Sequence, residues 1–447
     1  MKRRHWVIAV SLSSLLAAFA QGAEPNASSD SIRDAVNDMR ALITSGQQIF
    51  RYDTFGDEAY WGGELHLNDA VARLSPNAAL GLGLKIDADN LSHSELEALK
   101  HSRLDMRNPA VTVQLIRQNA VLGVVGSFDP AGHLSSVGLT CALCHSTVDN
   151  SVLPGVGHRI DGIANRDMNS GAIIAAAPNL QPIADLLSMA GTTITADQVR
   201  AVLLSWGPGK FDAEIFLDGK AFQPDGRSAA ALIPNSRGLA GFNLETWTGG
   251  WGALPYWDAF VAVVLLHGNG TFFDARFDNA TQFPVAAAAG LGHISVDPDE
   301  DRVTPKLPAL ELYQLSLRAL RPRAGVDFNE AAAERGDALF SGKANCNRCH
   351  HEPLWTEPGW NTHPASDLQI DSFAADRAPE HTYKTMNLAG IFQRERGLFM
   401  KPENKGRYYH DGRFATLLDV LESYNTRFGL GLTAHEEHDV VEYLKSL

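Results

Sequence analysis

Apolar residues recur at helical spacing near the carboxyl end of the chain. The stretch "NEAAAERGDALFSG" predicts a helix over 330–340, and "FATLLDVLESYN" predicts a second amphipathic helix. The final stretch, "LTAHEEHDVVEYLKSL", combines apolar positions at helical spacing with a Thr433-x-x-Glu436 capping box. The pattern therefore predicts a helical domain over about 305–447.

The pattern before this domain is weaker. "SHSELEAL" contains a Ser92-x-x-Glu95 capping box, and "TADQVRAVLLSWGPG" predicts a helix that ends at a glycine. Residues 209–301 are rich in Gly, Pro and aromatics, and they form a long irregular middle region that includes "TWTGGWGALPYWDAF". Its clustered rings, Trp247, Trp251, Tyr256 and Trp257, indicate a core or an interface, with an electron relay or a substrate wall as the alternative. Few strands are evident, so the fold class is mainly α.

Composition and charge narrow the class of protein. The chain has 447 residues, 45% hydrophobic and 20% charged, which is ordinary for a globular protein of two or three domains. A formal charge of -14 argues against a nucleic-acid surface, and no polybasic membrane patch is present. An acidic surface is compatible with a basic protein partner.

The first residues predict a targeting signal. "MKRRHW" is cationic, "VIAVSLSSLLAAFA" is apolar, and small residues follow, as in a secretory signal peptide over 1–23. An uncleaved anchor is the alternative. No later stretch is apolar for long enough to cross a bilayer, so we expect a soluble protein exported to the periplasm.

The four cysteines occur only in "CALCH" and "CNRCH". In an exported protein the pairs Cys141–Cys144 and Cys346–Cys349 could form two local disulfides. They could also join in one zinc site. The third alternative is covalent attachment of haem, because C-x-x-C-H is the c-type haem signature.

The histidines favour haem. The chain has 16 His among 447 residues, so a chance His behind both pairs is rare, and neither zinc nor a disulfide needs it there. The sequence therefore predicts two c-type haems, attached through all four cysteines. His145 and His350 are the predicted proximal iron ligands.

A similar short segment precedes each motif, and we call it the Gly/Phe segment. "SGQQIF", with Gly46 and Phe50, resembles the stretch with Gly336 and Phe340, but its motif follows only some ninety residues later. Either a cytochrome domain carries a long insertion, or the similarity is chance. The predicted organisation is an N-terminal helical region or insertion over 24–139, a first haem domain with the Trp/Gly-rich segment over 140–304, and a C-terminal cytochrome c domain over 305–447.

The C-terminal third resembles the bacterial diheme cytochrome c peroxidase and MauG superfamily. The resemblance is carried by "GDALFSGKANCNRCHHEPLWT", "YKTMNLAGIF", "YYHDGRFATLLDVLESYN" and the terminal helix, over about 330–447. It implies two class I cytochrome c-like haem domains. It also implies that the C-terminal haem is a six-coordinate electron-transfer centre, with a distal ligand in the helix after the HDG motif. Tyr424 holds that position, Met400, Met386 and His410 are rivals, and packing of Tyr424 on the haem edge is the alternative.

The resemblance further implies that the N-terminal haem reacts with peroxide and needs a group that moves protons. The candidates are His158, His267 and Asp274, and Met168 or His158 could instead close the site as a sixth ligand. Calcium between the haem domains occurs in relatives, but no acidic loop in this chain has a clear ligand pattern.

The chain also departs from the family. The two motifs are further apart than in typical peroxidases, and the catalytic glutamate segment is not recognisable. Long spacing and a large N-terminal part are similar to the rubber-cleaving diheme oxygenases. Two functions remain: a peroxidase-like oxidoreductase acting on peroxide or dioxygen, or a non-catalytic diheme electron carrier. Either would exchange electrons with a small cytochrome, a cupredoxin or a dehydrogenase. A haem-based sensor is the weaker third.

Overall fold

The computed structural model describes residues 29–447, and the predicted signal peptide lies outside the described residues. Helices dominate, and the strands are short, which confirms the mainly α class. The helices are α1 (Ser29–Tyr52), α2 (Leu67–Val71), α3 (Pro76–Gly81), α4 (His93–Lys100), α5 (Pro109–Arg117), α6 (Cys141–His145), α7 (Ser170–Ala175), α8 (Gln181–Ser188), α9 (Ala196–Leu204), α10 (Ile215–Asp218), α11 (Leu254–Phe260), α12 (Pro284–Ala289), α13 (Leu307–Ser316), α14 (Glu330–Ser341), α15 (Ala365–Leu368), α16 (Phe373–Asp376), α17 (Phe392–Arg396), α18 (Leu417–Phe428) and α19 (Ala434–Ser446).

The strands form two-stranded sheets around these helices. They are β1 (Ile86–Asp87), β2 (Val124–Phe128), β3 (Leu134–Leu139), β4 (Ser146–Val148), β5 (Val156–Gly157), β6 (Arg159–Asp161), β7 (Lys210–Phe211), β8 (Ala231–Leu232), β9 (Phe272–Phe273), β10 (His293–Ile294), β11 (His363–Pro364) and β12 (Thr382–Tyr383). The pair β1–β5 is parallel, whereas β2–β3, β4–β6, β7–β8, β9–β10 and β11–β12 are antiparallel. In addition, Ala59–Glu64 and Val261–Leu265 are π-helical.

Several predicted helix starts are confirmed. The Ser92–Glu95 capping box begins α4, and the Thr433–Glu436 box begins α19. In both, the hydroxyl accepts from the third backbone N–H while the carboxylate accepts from the cap N–H, which satisfies two donors at the helix start. The predicted helix over 330–340 is α14.

The first helix packs against a helix that lies far away in the sequence. Gly46 of α1 faces α13 so closely that a Cβ there would lie 1.9 Å from the carbonyl oxygen of Ala309. One turn later, the rings of Phe50 and Tyr313 meet edge to face with centroids 5.5 Å apart. Only glycine permits this approach of the two backbones.

The helices α14 and α19 repeat this arrangement. A Cβ at Gly336 would lie 2.0 Å from the carbonyl oxygen of Asp439. The ring of Phe340 lies 5.1 Å from that of Tyr443. In both helix pairs the opening helix supplies Gly and then Phe four residues later, and the closing helix supplies a carbonyl and then Tyr four residues later. The opening helix also contacts the CxxCH segment in both cases.

This correspondence favours an insertion over chance similarity of the two Gly/Phe segments. Tyr313 shares one buried cluster with Phe50, so α13 packs with the N-terminal helices although it follows residue 305. The domain bounds 140–304 and 305–447 stay a prediction from the sequence. We call residues 29–317 the first unit and residues 330–447 the second unit. In the second unit, α14, α18 and α19 pack around a separate cluster.

The Trp-rich segment contributes to the core of the first unit. Trp251 is 1% exposed and lies among the rings of Phe260, Phe277 and Phe283, with centroids 5.7 to 6.0 Å away. Trp247 lies where the units meet, because its carbonyl oxygen accepts from the backbone N–H of Lys384 at 3.0 Å. The core interpretation therefore holds for Trp251.

A segment of the second unit lies against the first CxxCH region. The hydroxyl of Thr147, two residues after His145, donates to the carbonyl of Phe399 at 3.0 Å. The carboxylate of Asp167 accepts from the backbone N–H of Lys401 and from the amide of Asn404, both at 2.8 Å. Within residues 29–447, no helix is both long enough and apolar enough to span a membrane.

Candidate haem sites

The first CxxCH motif is folded as the short helix α6. Spacings of three and four residues place Cys144 and His145 on the same helix face as Cys141. The segment that follows anchors this helix, because the N–H of Gly162 donates to the His145 carbonyl at 2.6 Å and the N–H of Asn165 donates to the Cys144 carbonyl at 2.9 Å. Two sulfurs and one imidazole can therefore converge on one ligand.

The second motif begins with a 3₁₀ turn, Cys346–Arg348, and the N–H of His350 donates to the Cys346 carbonyl at 3.0 Å. The Nδ1 atom of His350 lies 2.9 Å from the carbonyl oxygen of Trp355. A bond from Nδ1–H to a carbonyl fixes the tautomer and leaves Nε2 as the metal ligand. The ring of Phe340 lies 6.4 Å from that of His350 and links the site to the α14–α19 pair.

The chemistry of both sites fits covalent haem. The four sulfurs are not joined in disulfides. Burial raises the pKa of the Cys144 thiol to about 12 and that of Cys346 to about 11, so the surroundings favour neutral sulfur, as in a thioether, over a thiolate. Burial lowers the pKa of His145 to about 4, which keeps its imidazole neutral as an iron ligand must be, and its Nδ1 atom is buried without a hydrogen-bond partner.

The structure does not support the alternative of one zinc site shared by the two CxxC pairs. Among the described residues, the metal-ligand atoms that lie within 4.8 Å of one another belong to Cys349, Glu357 and His363. The two CxxC pairs therefore do not converge on one ion. The Glu357 carboxylate is already bound by His363 at 2.6 Å and by Thr385.

The structure places Tyr424 toward the second motif. This residue lies in α18. Burial raises the pKa of its phenol, and the neighbouring Tyr409 and Cys346 raise it further. The guanidinium of Arg427 lies 4.7 Å from the Tyr424 ring centroid. Arg427 also donates to the hydroxyl of Tyr409 at 2.5 Å. Tyr424 stays the leading candidate for the distal side of this site.

The rivals of Tyr424 lie in other settings. Met400 is buried between Phe399 and Lys401, which are both hydrogen-bonded to the first unit. His410 is buried and stacked on Tyr383, with centroids 5.3 Å apart. Burial lowers the pKa of His350, and a hydrogen bond with the backbone of Met386 partly opposes this effect.

The candidates for the first site are dispersed. His158 is exposed, and its Nδ1 lies 2.7 Å from a carboxylate oxygen of Asp89. The ring of His267 stacks on that of Tyr60 with centroids 3.6 Å apart, and burial lowers the pKa of His267 to about 4. Met168 is fully buried and follows Asn165, which anchors the motif.

Asp274 is bound elsewhere. Its carboxylate pairs with Arg276 at 2.8 Å and accepts from the hydroxyl of Tyr256. The structure therefore does not gather His158, His267 and Asp274 at one point.

Sequence reasoning missed Asp258, which lies in α11 within the aromatic run "PYWDAF". The amide of Gln314 donates to its Oδ2 at 2.6 Å. Loss of solvent, reinforced by Glu245, raises the pKa of Asp258 to about 8. Burial, and after it the negative charge of Asp258, raises the pKa of Cys141. The only signal in the sequence is an acid inside an otherwise apolar helix, which does not reveal that α11 lies near the first motif.

Asp57 is another acid near the first motif, and it is buried. It is 0% exposed, and both carboxylate oxygens lie 3.1 Å from the N–H of Leu139, two residues before Cys141. Burial raises the pKa of Asp57 to about 9. Asp57 is therefore neutral at pH 7 in the folded protein and charged in the unfolded chain.

We expect this difference in the charge of Asp57 between the folded and unfolded states to make the protein less stable as the pH rises from about 4 to about 9. Because the folded pKa lies above the unfolded value, the contribution is complete below about pH 4 and is lost as the pH rises toward 9. One such group lowers the free energy of unfolding by about 1.4 kcal/mol per pH unit within this window. Urea unfolding across the window should show a shallower fall for Asp57→Asn, whereas Asp185→Asn, at an exposed position of α8, should keep the wild-type slope. Equal slopes for all three proteins would contradict the prediction.

The chain is similar over part of its length to a known haem enzyme. No family model matches the chain. The chain is 31% identical over 191 residues, 33% of its length, to a curated protein named cytochrome-c peroxidase IdrP1 from Denitromonas iodatirespirans. The chain spans about half of that relative, 51% of its length. The match supports a likeness to cytochrome c peroxidases, and with it to haem proteins and oxidoreductases.

A solved structure is also similar at low level. The hydrazine synthase of Kuenenia stuttgartiensis, pressurised with xenon, has 16% identity over 51% of this chain and 76% of the solved chain, with a TM-score of 0.32. A likeness this weak supports no conclusion about fold or function.

Proposed function

We propose that this chain is a diheme c-type cytochrome with peroxidase-like oxidoreductase activity. Electrons would enter at the site of His350 and be delivered to the site of His145, where peroxide is reduced to two waters with two electrons and two protons. One observation carries the proposal: each CxxCH segment is contacted by the opening helix of a Gly/Phe–Tyr helix pair, so the chain contains the same frame twice. The likeness to a cytochrome c peroxidase supports the reaction type.

The chain's own groups would have distinct roles. His145 and His350 would ligate iron, and Cys141, Cys144, Cys346 and Cys349 would hold the porphyrins through thioethers. Haem, when bound, would supply the redox chemistry, while the protein sets access, ligands and potential. Tyr424 would close the distal side of the second site, which stabilises the ferric state and suits an electron-transfer centre.

The haem count and the peroxide response test the proposal. We expect two covalently bound haems in the purified protein by mass and by the pyridine haemochrome assay, and one in the Cys141→Ser/Cys144→Ser variant. We expect a slight excess of hydrogen peroxide to change the optical and EPR spectra of the wild type but not of that variant. A protein without covalent haem would refute the proposal. If both haems failed to react with peroxide in every redox state, electron transfer would be the only remaining function.

We propose Asp258 as the group that delivers a proton at the first site. With a pKa of about 8 its carboxyl is protonated at neutral pH and can act as a general acid. We expect Asp258→Asn to lower the rate of peroxide reduction by about 100-fold, and we expect the wild-type rate to fall as the pH rises through about 8. Asp274→Asn removes a carboxylate that is already bound by Arg276 and Tyr256, and it serves as the matched control. A wild-type rate and pH profile in Asp258→Asn would overturn this role.

One observation favours the alternative of a non-catalytic electron carrier. Met168 is fully buried in the segment that anchors the first motif, and a methionine there would close the first site as a sixth ligand. The rate at which cyanide binds to the ferric protein distinguishes the two functions, because at a closed site the methionine must first leave the iron and binding is slow. The redox partner, a small cytochrome, a cupredoxin or a dehydrogenase, and export to the periplasm stay predictions from the sequence.

A further inference from the structure

Arg166 is a buried cation without a counter-ion. Arg166 is 5% exposed, and its Nη1 atom is buried without any hydrogen-bond partner. Its sequence neighbour Asp167 cannot serve, because the Asp167 carboxylate already binds Lys85 at 2.5 Å and accepts from Lys401 and Asn404. A guanidinium held away from water without a partner is costly, so an anion at this point would be strongly stabilised.

Two further arginines lie close to Arg166. A Cβ at Gly209 would lie 2.9 Å from the carbonyl oxygen of Arg166, and the preceding residue, Pro208, is bonded to Arg407. In keeping with this, the charges of Arg394 and Arg407 lower the pKa of Arg166, after the larger effect of burial. Arg394 donates to the carbonyls of Gly406 and Arg407, and Arg407 donates to the carbonyl of Pro208 at 2.9 Å. Within residues 29–447, none of the three forms an ion pair with a carboxylate. Three like charges therefore lie in one region, where the ring of Tyr408, 4.7 Å from the Arg394 guanidinium, is a weak uncharged partner.

This arginine cluster, Arg166, Arg394 and Arg407, lies beside the first CxxCH motif. Arg166 directly follows Asn165, whose backbone N–H donates to the Cys144 carbonyl at 2.9 Å. A haem attached there would bring two propionate carboxylates, and guanidinium groups bind carboxylates through paired, charge-assisted hydrogen bonds.

We propose that the arginine cluster binds a propionate of the haem held by Cys141, Cys144 and His145. This inference rests on the proposed function and adds an assignment to it: two of the three anchors come from the second unit. Arg394 and Arg407 lie on either side of the segment around Met400 that docks on Thr147 and Asp167. The first site is therefore complete only when the second unit is in place.

The test uses the full-length holoprotein with Arg166→Gln, and with Arg407→Gln in case the buried substitution impairs folding. We expect the propionate bending bands of one haem to shift in the low-frequency resonance Raman spectrum of both variants. We also expect the midpoint potential of the same haem to fall, because an unneutralised carboxylate stabilises ferric iron. Arg237→Gln is the matched control, since this substitution removes an equal charge nearby, from a side chain that donates to the carbonyls of Asp161 and Arg318.

The outcomes separate the possible anions and the two proposals. Unchanged propionate bands in both variants, with two haems still attached, would overturn the inference and leave the proposed function intact. Saturable binding of inorganic phosphate to wild-type holoprotein at constant ionic strength, lost in Arg166→Gln, would also overturn it, because the cluster would then serve a free anion. Absence of covalent haem in the wild type would refute the proposed function and this inference with it.

Discussion

Replacing Gly46 with alanine is expected to unfold the first unit or to leave it without its haem. A Cβ at this position would lie 1.9 Å from the Ala309 carbonyl oxygen and 2.7 Å from the Cβ of Tyr313. Backbone cannot move out of the way as the end of a flexible side chain can, so α1 and α13 would have to separate. Overpacking of this kind costs about 3 kcal/mol or more, a large part of the stability of a domain.

The second unit offers the matched experiment. Gly336→Ala would place a Cβ 2.0 Å from the Asp439 carbonyl, so we expect the same loss there. Haem content and thermal unfolding should show that Gly46→Ala affects the first site and Gly336→Ala the second. Gly81→Ala is the control, because nothing lies within 4 Å of a Cβ there and its backbone is helical. Wild-type stability in both test variants would show that the close helix contacts are not needed.

His145→Gly is expected to abolish peroxide reduction, with a loss of about 100-fold or more, while the cysteines still attach the porphyrin. The reason is that the axial ligand and its neutral, buried setting would be lost at the site assigned to peroxide. His350→Gly should lower steady-state turnover with a reduced cytochrome donor by a similar factor, yet leave the first reaction with peroxide in place. The two variants therefore separate the reactive site from the electron-entry site.

Two measurements distinguish these roles. Rapid mixing with peroxide reports on the first site alone, whereas steady-state oxidation of the donor needs both. His293→Gly is the control, because His293 is exposed and bonds to Asp278 at 2.8 Å. If His350→Gly removed the rapid peroxide reaction and His145→Gly preserved it, the assignment of the two sites would be reversed.

The sequence predicted features that depend on neighbouring residues. The capping boxes at Ser92 and Thr433, the helix α14 and the two CxxCH motifs each lie within a few consecutive positions, where side chains and backbone interact locally. The Gly/Phe segment at Gly46 was visible in the sequence, but its partner was not. The group that requires a glycine at position 46 is the backbone carbonyl of Ala309. Every residue has such a carbonyl, so the residue type at position 309 does not reveal the contact.

The missed groups at the candidate sites depend on long-range packing. Asp258 looks like one acid in an aromatic helix, and Arg166 looks like an ordinary loop residue in "ANRDMN". Their chemistry arises from loss of water and from neighbours such as Gln314 and Arg394, which are distant in the sequence. Residue type and spacing cannot report that a charge is buried.

The α1–α13 pair also dictates when the molecule can fold. The two helices are separated by about 250 residues, whereas α14 and α19 are separated by about 90. As the chain emerges from the ribosome, α1 must wait for α13 before its apolar face is covered, whereas α14 waits only for the shorter stretch that ends with α19. The longer-lived open state is therefore expected in the first unit, where α1 stays open to proteases and aggregation while about 250 residues are made.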